Sequence, residues 1–306
     1  MTQAEFPQES KATGEFRRQV SAFRHQVRAD GSSPYRAEAN RYHLYVSSAC
    51  PWAHRTILVR KLKKLEDVIG MTIVDPIRDQ RGWAFTADAD PVNGFRFLQQ
   101  AYHTTDKEWE GRVTVPVLWD KLTGEIVNNE SSEIMRMLNS EFDEFGDAQL
   151  NLYPMAYAKE IDELNQWIYD TVNNGVYRAG FATTQSAYEQ AVSPLFESME
   201  KLDRLLAQQR YLIGDRITEA DWRLFTTLVR FDPVYHCHFK CNWKRLVDFQ
   251  NLWPYVRDLY QQPGVAETVD FDHIKRHYFV THRTINPTGI VPIGPKIDFE
   301  EPHGRG

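Results

Sequence analysis

The chain has 306 residues, 42% of them apolar and 25% charged, as expected of a globular protein with room for two ordinary domains. With 36 lysines and arginines against 42 aspartates and glutamates the net charge is -6, and the longest basic run is Arg60-Lys61-Leu62-Lys63-Lys64, so no nucleic-acid partner is expected. No apolar stretch approaches the ~20 residues of a membrane span, so no membrane partner is expected either.

Met1 to Ala12 is polar and lacks the apolar core of a signal peptide. The only cysteines are Cys50, Cys237 and Cys241, which argues against a disulfide scaffold and for a reducing, cytoplasmic setting. The basic run at 60–64 reads as the solvated end of a helix.

Residues 1–40 are polar, with the turn cluster Gly31-Ser32-Ser33-Pro34, and read as an irregular extension. Arg41-Tyr42-His43-Leu44-Tyr45-Val46 is a strand by its aromatic and β-branched content. Ser47-Ser48-Ala49-Cys50-Pro51 turns into a helix, with Pro51 in the first turn and Ile57, Leu58, Leu62 and Leu65 at helical spacing. Met71 to Pro76 is a second strand. Residues 77–112 form a long aromatic insertion.

Val115-Pro116-Val117-Leu118-Trp119 is a third strand with proline near its start, and Glu125-Ile126-Val127-Asn128 an edge-like fourth. A helix opens at Ser131-Ser132-Glu133-Ile134. This order predicts a parallel strand pair plus an antiparallel hairpin. Residues 141–152 read as a linker. Helical patterns follow around 154–173, 187–208, 219–231 and 251–262, the third opened by the capping-box sequence Thr218-Glu219-Ala220-Asp221. The tail, 279–306, carries Pro287, Gly289, Pro292, Gly294 and Pro295 and is expected to be extended throughout.

Cys50 carries the strongest chemical signal. A thiolate at the start of a helix is favoured by the orphan amides and the dipole; the alternative is a buried structural cysteine. Disulfide oxidoreductases place a second cysteine three residues on, where this chain has Ala53. A lone sulfur can form a mixed disulfide but needs an external thiol to resolve it. His54, on the next turn, either steadies the motif or is an ordinary surface or packing residue. The run Tyr235-His236-Cys237-His238-Phe239-Lys240-Cys241 lacks the spacing of paired zinc knuckles, so it reads as packing and no metal is expected.

Five segments in order resemble the glutathione transferase family and, within it, the xi class of glutathionyl-hydroquinone reductases. They are Ser48-Ala49-Cys50-Pro51-Trp52-Ala53-His54-Arg55-Thr56, Val115-Pro116-Val117-Leu118-Trp119-Asp120, Asn128-Asn129-Glu130-Ser131-Ser132-Glu133-Ile134, Asn173-Asn174-Gly175-Val176-Tyr177 and Ile285-Asn286-Pro287-Thr288-Gly289-Ile290-Val291-Pro292. The resemblance covers about Tyr42 to Pro295. It implies an α/β plus all-α protein: a thioredoxin-like N-terminal domain at 41–140, an α-helical C-terminal domain at 154–278, and extensions at 1–40 and 279–306.

The resemblance also assigns roles. Cys50 would be the nucleophile. Val115-Pro116 would be a cis-proline element pairing with the backbone of glutathione. Glu130 and Ser131 would take its γ-glutamyl end, with Trp83 nearby and Arg112 on the glycine carboxylate. Tyr177 and Tyr278 would line the acceptor pocket; taken alone, each is as readily a core tyrosine. Phe279 stands where the family often has a second tyrosine.

The implied activity is glutathione-dependent reduction of glutathionyl-hydroquinones by a homodimer. The alternatives are an omega-like thiol transferase or dehydroascorbate reductase, and a non-catalytic binding protein of the same fold.

Overall fold

Tyr42–Val46 forms β1, buried at every position. A strand covered on both faces tends to an apolar run rather than an alternating one, and here only His43 interrupts it, its Nε2 2.8 Å from Thr72 Oγ1. In the computed structural model, which describes residues 9, 11–86 and 89–305, β1 lies in a four-stranded sheet. It pairs in parallel with β2 (Gly70–Ile73) and antiparallel with β3 (Val117–Asp120), and β3 pairs antiparallel with β4 (Glu125–Asn128), giving the order β2-β1-β3-β4. A parallel pair needs a crossover, and α1 (Pro51–Leu62) supplies it. The hairpin between β3 and β4 turns through Gly124 at φ +71°, a conformation that favours glycine. The α/β expectation for the N-terminal half is met, with β2 ending before Val74 and β3 starting only after Pro116.

The insertion at 77–112 contains α2 (Gln99–Thr105), too short for its period to stand out in the sequence. Residues 87 and 88 of that insertion lie outside the described residues, as do 1–8, 10 and 306. β4 is the edge strand, and part of the N-terminal stretch covers it. The His25 N–H donates to the Val127 carbonyl at 3.0 Å, and the Asn129 N–H to the Phe23 carbonyl at 3.0 Å. Such cover blunts an edge that would otherwise offer unpaired backbone groups. Helix α3 (Ser131–Ser140) packs on α1.

The basic end of α1 departs from the expected solvated surface. Lys63 is fully buried, its ammonium donating to Asp143 Oδ1 (2.6 Å) and to the carbonyls of Asp147 (2.5 Å) and Leu150 (2.9 Å). Arg60 caps backbone carbonyls at Ile69 (2.6 Å) and Glu66 (2.9 Å). A buried ammonium needs its donors matched, and the stretch read as a linker supplies the acceptors.

The described residues divide into two compact units. The first comprises Gln19–Asn151 and Thr268–His277; the second comprises Leu152–Glu267, the chain from Tyr278 onward and the described part of Glu5–Arg18. The second unit is all-helical, as expected. It holds α4 (Ala158–Ile168), α5 (Gly175–Gly180), α6 (Gln185–Leu206), α7 (Glu219–Leu228) and α8 (Leu252–Tyr260), with single π-helical turns at Tyr169–Asn173 and Phe231–Tyr235. The capping box of α7 forms, with Asp221 Oδ2 accepting from the Thr218 N–H at 2.8 Å.

A further helix, α9 (Phe271–Thr281), belongs to the first unit up to His277 and to the second from Tyr278. It corrects the expectation of a tail extended from residue 279: Phe279, Val280 and Thr281 are helical, and the proline-rich part begins beyond them. Asn286 Nδ2 ties that part back, donating to the carbonyls of Phe279 (2.7 Å) and Ile290 (3.0 Å).

Candidate functional site

Cys50 is the N-cap residue of α1, with extended backbone (φ -80°, ψ 120°) and no side-chain capping bond. Its carbonyl accepts the first helical bond, from the His54 N–H at 2.9 Å, while its own N–H donates to the Ser47 carbonyl at 3.1 Å. The sulfur thus stands at the positive end of the helix, half-buried, with its thiol 3.7 Å from the Val115 carbonyl oxygen. The Val115-Pro116 peptide is cis. Three expected residues, Cys50, Val115 and Pro116, therefore meet in one place. Ala53 is buried where a second thiol would stand. His54 is fully buried, its Nε2 2.8 Å from Thr268 Oγ1, so it is a packing residue and not a surface one.

Glu130 and Ser131 open α3. Glu130 is the cap. Its Oε1 accepts from the Ser132 N–H (3.1 Å) and hydroxyl (2.8 Å), and its Oε2 from the Ser21 hydroxyl (3.0 Å). Ser131 is the buried first residue of the helix, and Arg55 Nη1 donates to its hydroxyl at 3.5 Å. A carboxylate offers about four lone-pair sites, so Glu130 keeps capacity beyond its three acceptances. Arg112 is half-buried just before Val115, its backbone N–H donating to Gln19 Oε1 at 3.4 Å.

Trp83 is buried, and its indole N–H has no hydrogen-bond partner among the described residues. Its ring stacks on the imidazole of His277, centroids 4.9 Å apart, and the Arg78 guanidinium lies 5.3 Å from the indole. His277 Nδ1 donates to the Pro76 carbonyl at 2.6 Å. Burial first, and then the charge of Arg78, push its pKa down to about 3, so this imidazole is neutral.

One turn earlier on α9, His273 Nε2 lies 3.3 Å from the Ser47 hydroxyl, in the turn that leads into Cys50. Residues four apart share a helix face. One face of α9 therefore touches both the thiol turn and Trp83. No sequence signal marks His273 or His277, because both contacts lie about 200 residues away along the chain.

The two expected tyrosines meet in the second unit. Their hydroxyls are 2.5 Å apart, and the Tyr278 hydroxyl is also 3.1 Å from that of Tyr235. Burial pushes Tyr235 and Tyr278 well above the ordinary tyrosine pKa, so both stay protonated. The asparagine motif before Tyr177 positions it: Asn173 Nδ2 donates to Thr227 Oγ1 (2.8 Å) and to the Arg223 carbonyl (3.1 Å), and Asn174 Oδ1 accepts from Arg18 Nε (3.2 Å). The Arg18 guanidinium lies 4.7 Å from the centre of the Tyr177 ring, within cation–π range. Phe239 packs edge-on to Tyr177 at 5.5 Å; a Cβ on Gly180 would come within 2.2 Å of its ring, so this approach requires glycine. Phe279 is buried edge-on against His238 at 4.8 Å.

Cys241 is buried, which pushes its thiol up and makes it a poor nucleophile, and Cys237 is exposed. Among the described residues no three histidines, cysteines, aspartates or glutamates are grouped to hold a metal ion, and no helix is long and apolar enough to cross a membrane.

A cysteine opening the first helix of a β-α-β-β-β core, beside a cis proline, defines a thioredoxin-like thiol protein, here in one chain with an all-α unit. Comparison with known proteins agrees. Residues 49–141 match the family described as "Glutathione S-transferase, N-terminal domain" and residues 185–261 "Glutathione S-transferase, C-terminal domain". Glutathionyl-hydroquinone reductase YqjG of Escherichia coli is 55% identical over 97% of this chain and 94% of its own, and PcpF of Sphingobium chlorophenolicum, of the same description, is 48% identical over 88% of each. The glutathione-bound structure of YqjG aligns with a TM-score of 0.91 over 93% of this chain and 96% of that one. The xi-class transferase of Phanerochaete chrysosporium aligns with a TM-score of 0.90 at 52% identity, over 94% of each. The chain belongs to the glutathione transferase family, in its xi class of glutathionyl-hydroquinone reductases.

Proposed function

We propose that this protein reduces glutathionyl-hydroquinones to hydroquinones at the expense of glutathione. The observation that carries the reading is the lone thiol of Cys50 at the start of α1, 3.7 Å from the Val115 carbonyl, with Ala53 where a resolving cysteine would stand. The names of YqjG and PcpF support the substrate class.

In the first half-reaction the Cys50 thiolate attacks the sulfur that joins glutathione to the aromatic ring. The sulfur–sulfur bond forms, the carbon–sulfur bond breaks, and the ring carbon keeps the electron pair and takes a proton. In the second, the thiolate of another glutathione attacks the mixed disulfide, releases glutathione disulfide and restores the Cys50 thiolate. The substrate carbon is reduced and two glutathione sulfurs are oxidised, so no other redox partner is needed.

The backbone of Val115, set by the cis bond to Pro116, pairs with the cysteinyl part of glutathione. The start of α3 takes the γ-glutamyl end: the Ser131 hydroxyl and helix amides its carboxylate, Glu130 its ammonium. The unmet indole N–H of Trp83 is a donor for a glutathione carbonyl or carboxylate, and Arg112 takes the glycine carboxylate. Tyr177 and Tyr278 act on the hydroquinone, orienting it and supplying the proton.

We infer further that the protein is a homodimer in a reducing, cytoplasmic setting, the latter supported by three free cysteines.

The test is turnover of a glutathionyl-hydroquinone with intact-mass detection of glutathione on Cys50. Release of hydroquinone with a Cys50 adduct supports the reading. Equal turnover of a simple glutathione mixed disulfide points instead to an omega-like thiol transferase. No adduct and no turnover point to a binding protein. Sedimentation showing only monomer at micromolar concentration rejects the dimer.

A further inference from the structure

The Glu130 carboxylate is held from two sides. Oε1 accepts from the Ser132 N–H (3.1 Å) and hydroxyl (2.8 Å), which belong to the same helix start. Oε2 accepts from the Ser21 hydroxyl at 3.0 Å, 109 residues away along the chain. The Ser21 oxygen also lies 3.3 Å from the Asn129 carbonyl. A hydroxyl has one proton, and the carboxylate is the nearer and the charged acceptor, so the proton goes to Oε2.

Ser21 lies in the irregular stretch before β1, and backbone bonds fix its place. The Phe23 N–H donates to Asn129 Oδ1 (3.2 Å), and the Phe23 carbonyl accepts from the Asn129 N–H (3.0 Å). Further along, the His25 N–H donates to the Val127 carbonyl (3.0 Å), and the His25 carbonyl accepts from Asn128 Nδ2 (3.0 Å). The Phe23 ring packs on Tyr102 and Trp109, centroids 5.6 and 5.1 Å away. These contacts set the register of the stretch against the end of β4, and that register brings Ser21 to Glu130. In extended chain a slip of one residue would turn the hydroxyl to the other face.

Each carboxylate oxygen has about two lone-pair sites. Ser132 fills those on Oε1, and Ser21 takes one on Oε2. Ser132 alone would anchor Oε1 but leave the carboxylate plane free to turn about it. Ser21 stops that turn, so the remaining site on Oε2 points in one direction. Because the Ser21 proton is directed at Oε2, its oxygen offers an approaching cation lone pairs and no opposing hydrogen.

We propose that Ser21 is a positioning residue for glutathione recognition: it sets the Glu130 carboxylate so that the remaining site on Oε2 meets the ammonium of the γ-glutamyl group. This rests on the role given to Glu130 above. It makes the N-terminal stretch part of the glutathione site. Selection of a ligand with a free α-amino group then depends on a hydroxyl outside the thioredoxin-like core.

The experiment is calorimetric titration of the reduced enzyme with glutathione and with deamino-glutathione, in which hydrogen replaces the α-amino group. The proteins are wild type, Ser21→Ala, Glu130→Gln and the double variant. Ser21→Ala should bind glutathione about tenfold more weakly, the order of one lost hydrogen bond to a charged group. It should bind deamino-glutathione with wild-type affinity, which also shows that the variant is folded. The double variant should bind glutathione no more weakly than Glu130→Gln. Wild-type glutathione affinity for Ser21→Ala, alongside a weak Glu130→Gln, overturns the proposal. So does equal weakening towards both ligands, or an additive loss in the double variant. Wild-type glutathione affinity for Glu130→Gln overturns instead the underlying reading of Glu130.

Discussion

The imidazole of His277 lies against the indole of Trp83, ring planes 21° from parallel and centroids 4.9 Å apart. Nδ1 is fixed by the Pro76 carbonyl, so the stacking surface is held in one orientation. If Trp83 contacts glutathione, His277→Ala should weaken glutathione binding several-fold, about 3–10-fold for a lost aromatic pair. His277→Phe should recover part of the loss. Titration of each variant with glutathione, read by calorimetry, checks this. Wild-type affinity for His277→Ala would show that the stack is packing alone.

Cys50→Ser and Cys50→Ala should abolish thiol transfer while leaving the fold intact, because the sulfur is half-exposed and makes no capping bond. Cys237→Ser should be silent. Cys241→Ala should keep activity at a stability loss of about 1 kcal/mol, from the buried volume removed. Circular dichroism and steady-state turnover measure both. Near-normal turnover by Cys50→Ser would end the proposed mechanism.

Replacing Tyr177 and Tyr278 together by Phe should slow hydroquinone release on the order of 10²–10⁴, the range of lost general acid help. Glutathione binding should barely change, because the roles proposed for its recognition belong to other residues. Pre-steady-state traces following hydroquinone and the Cys50 mixed disulfide together separate the two effects. Formation of both at the wild-type rate would reduce the tyrosines to packing.

Stability should fall with acid before most carboxylates titrate. Burial holds His43 and His238 at about 4 and His277 at about 3, against an ordinary value of 6.5. Below pH 6.5 the unfolded chain takes up protons that the folded chain refuses, so unfolding is favoured as pH falls. The loss continues until the folded imidazoles themselves protonate, at about 4 and then about 3. Each group adds up to about 1.4 kcal/mol per pH unit within its window. Urea denaturation between pH 8 and 4.5 should show this slope, and His277→Gln should make it shallower. Buried Asp221, raised to about 6, works in the opposite direction in both proteins, so the decisive comparison is between them: equal slopes for wild type and His277→Gln would contradict the neutral, buried state of His277.

What the sequence determined by itself is local. Pro51 in a first helical turn, Cys50 before it and Ala53 after it fix a lone sulfur at a helix start, because capping and proline chemistry act within a few residues. The capping box of Thr218 and Asp221 and the hairpin at Gly124 are legible for the same reason. The tertiary structure alone decided the rest. It put His273 on Ser47 and His277 on Trp83, gave Lys63 its acceptors from the stretch after α3, and set Tyr235 behind Tyr278. These contacts join residues from 43 to more than 200 positions apart. No periodicity encodes such pairs, because periodicity reports which face of an element is buried and not what meets it there. A histidine or lysine inside a helical pattern reads as polar surface until packing closes over it and burial dictates its partner and its charge.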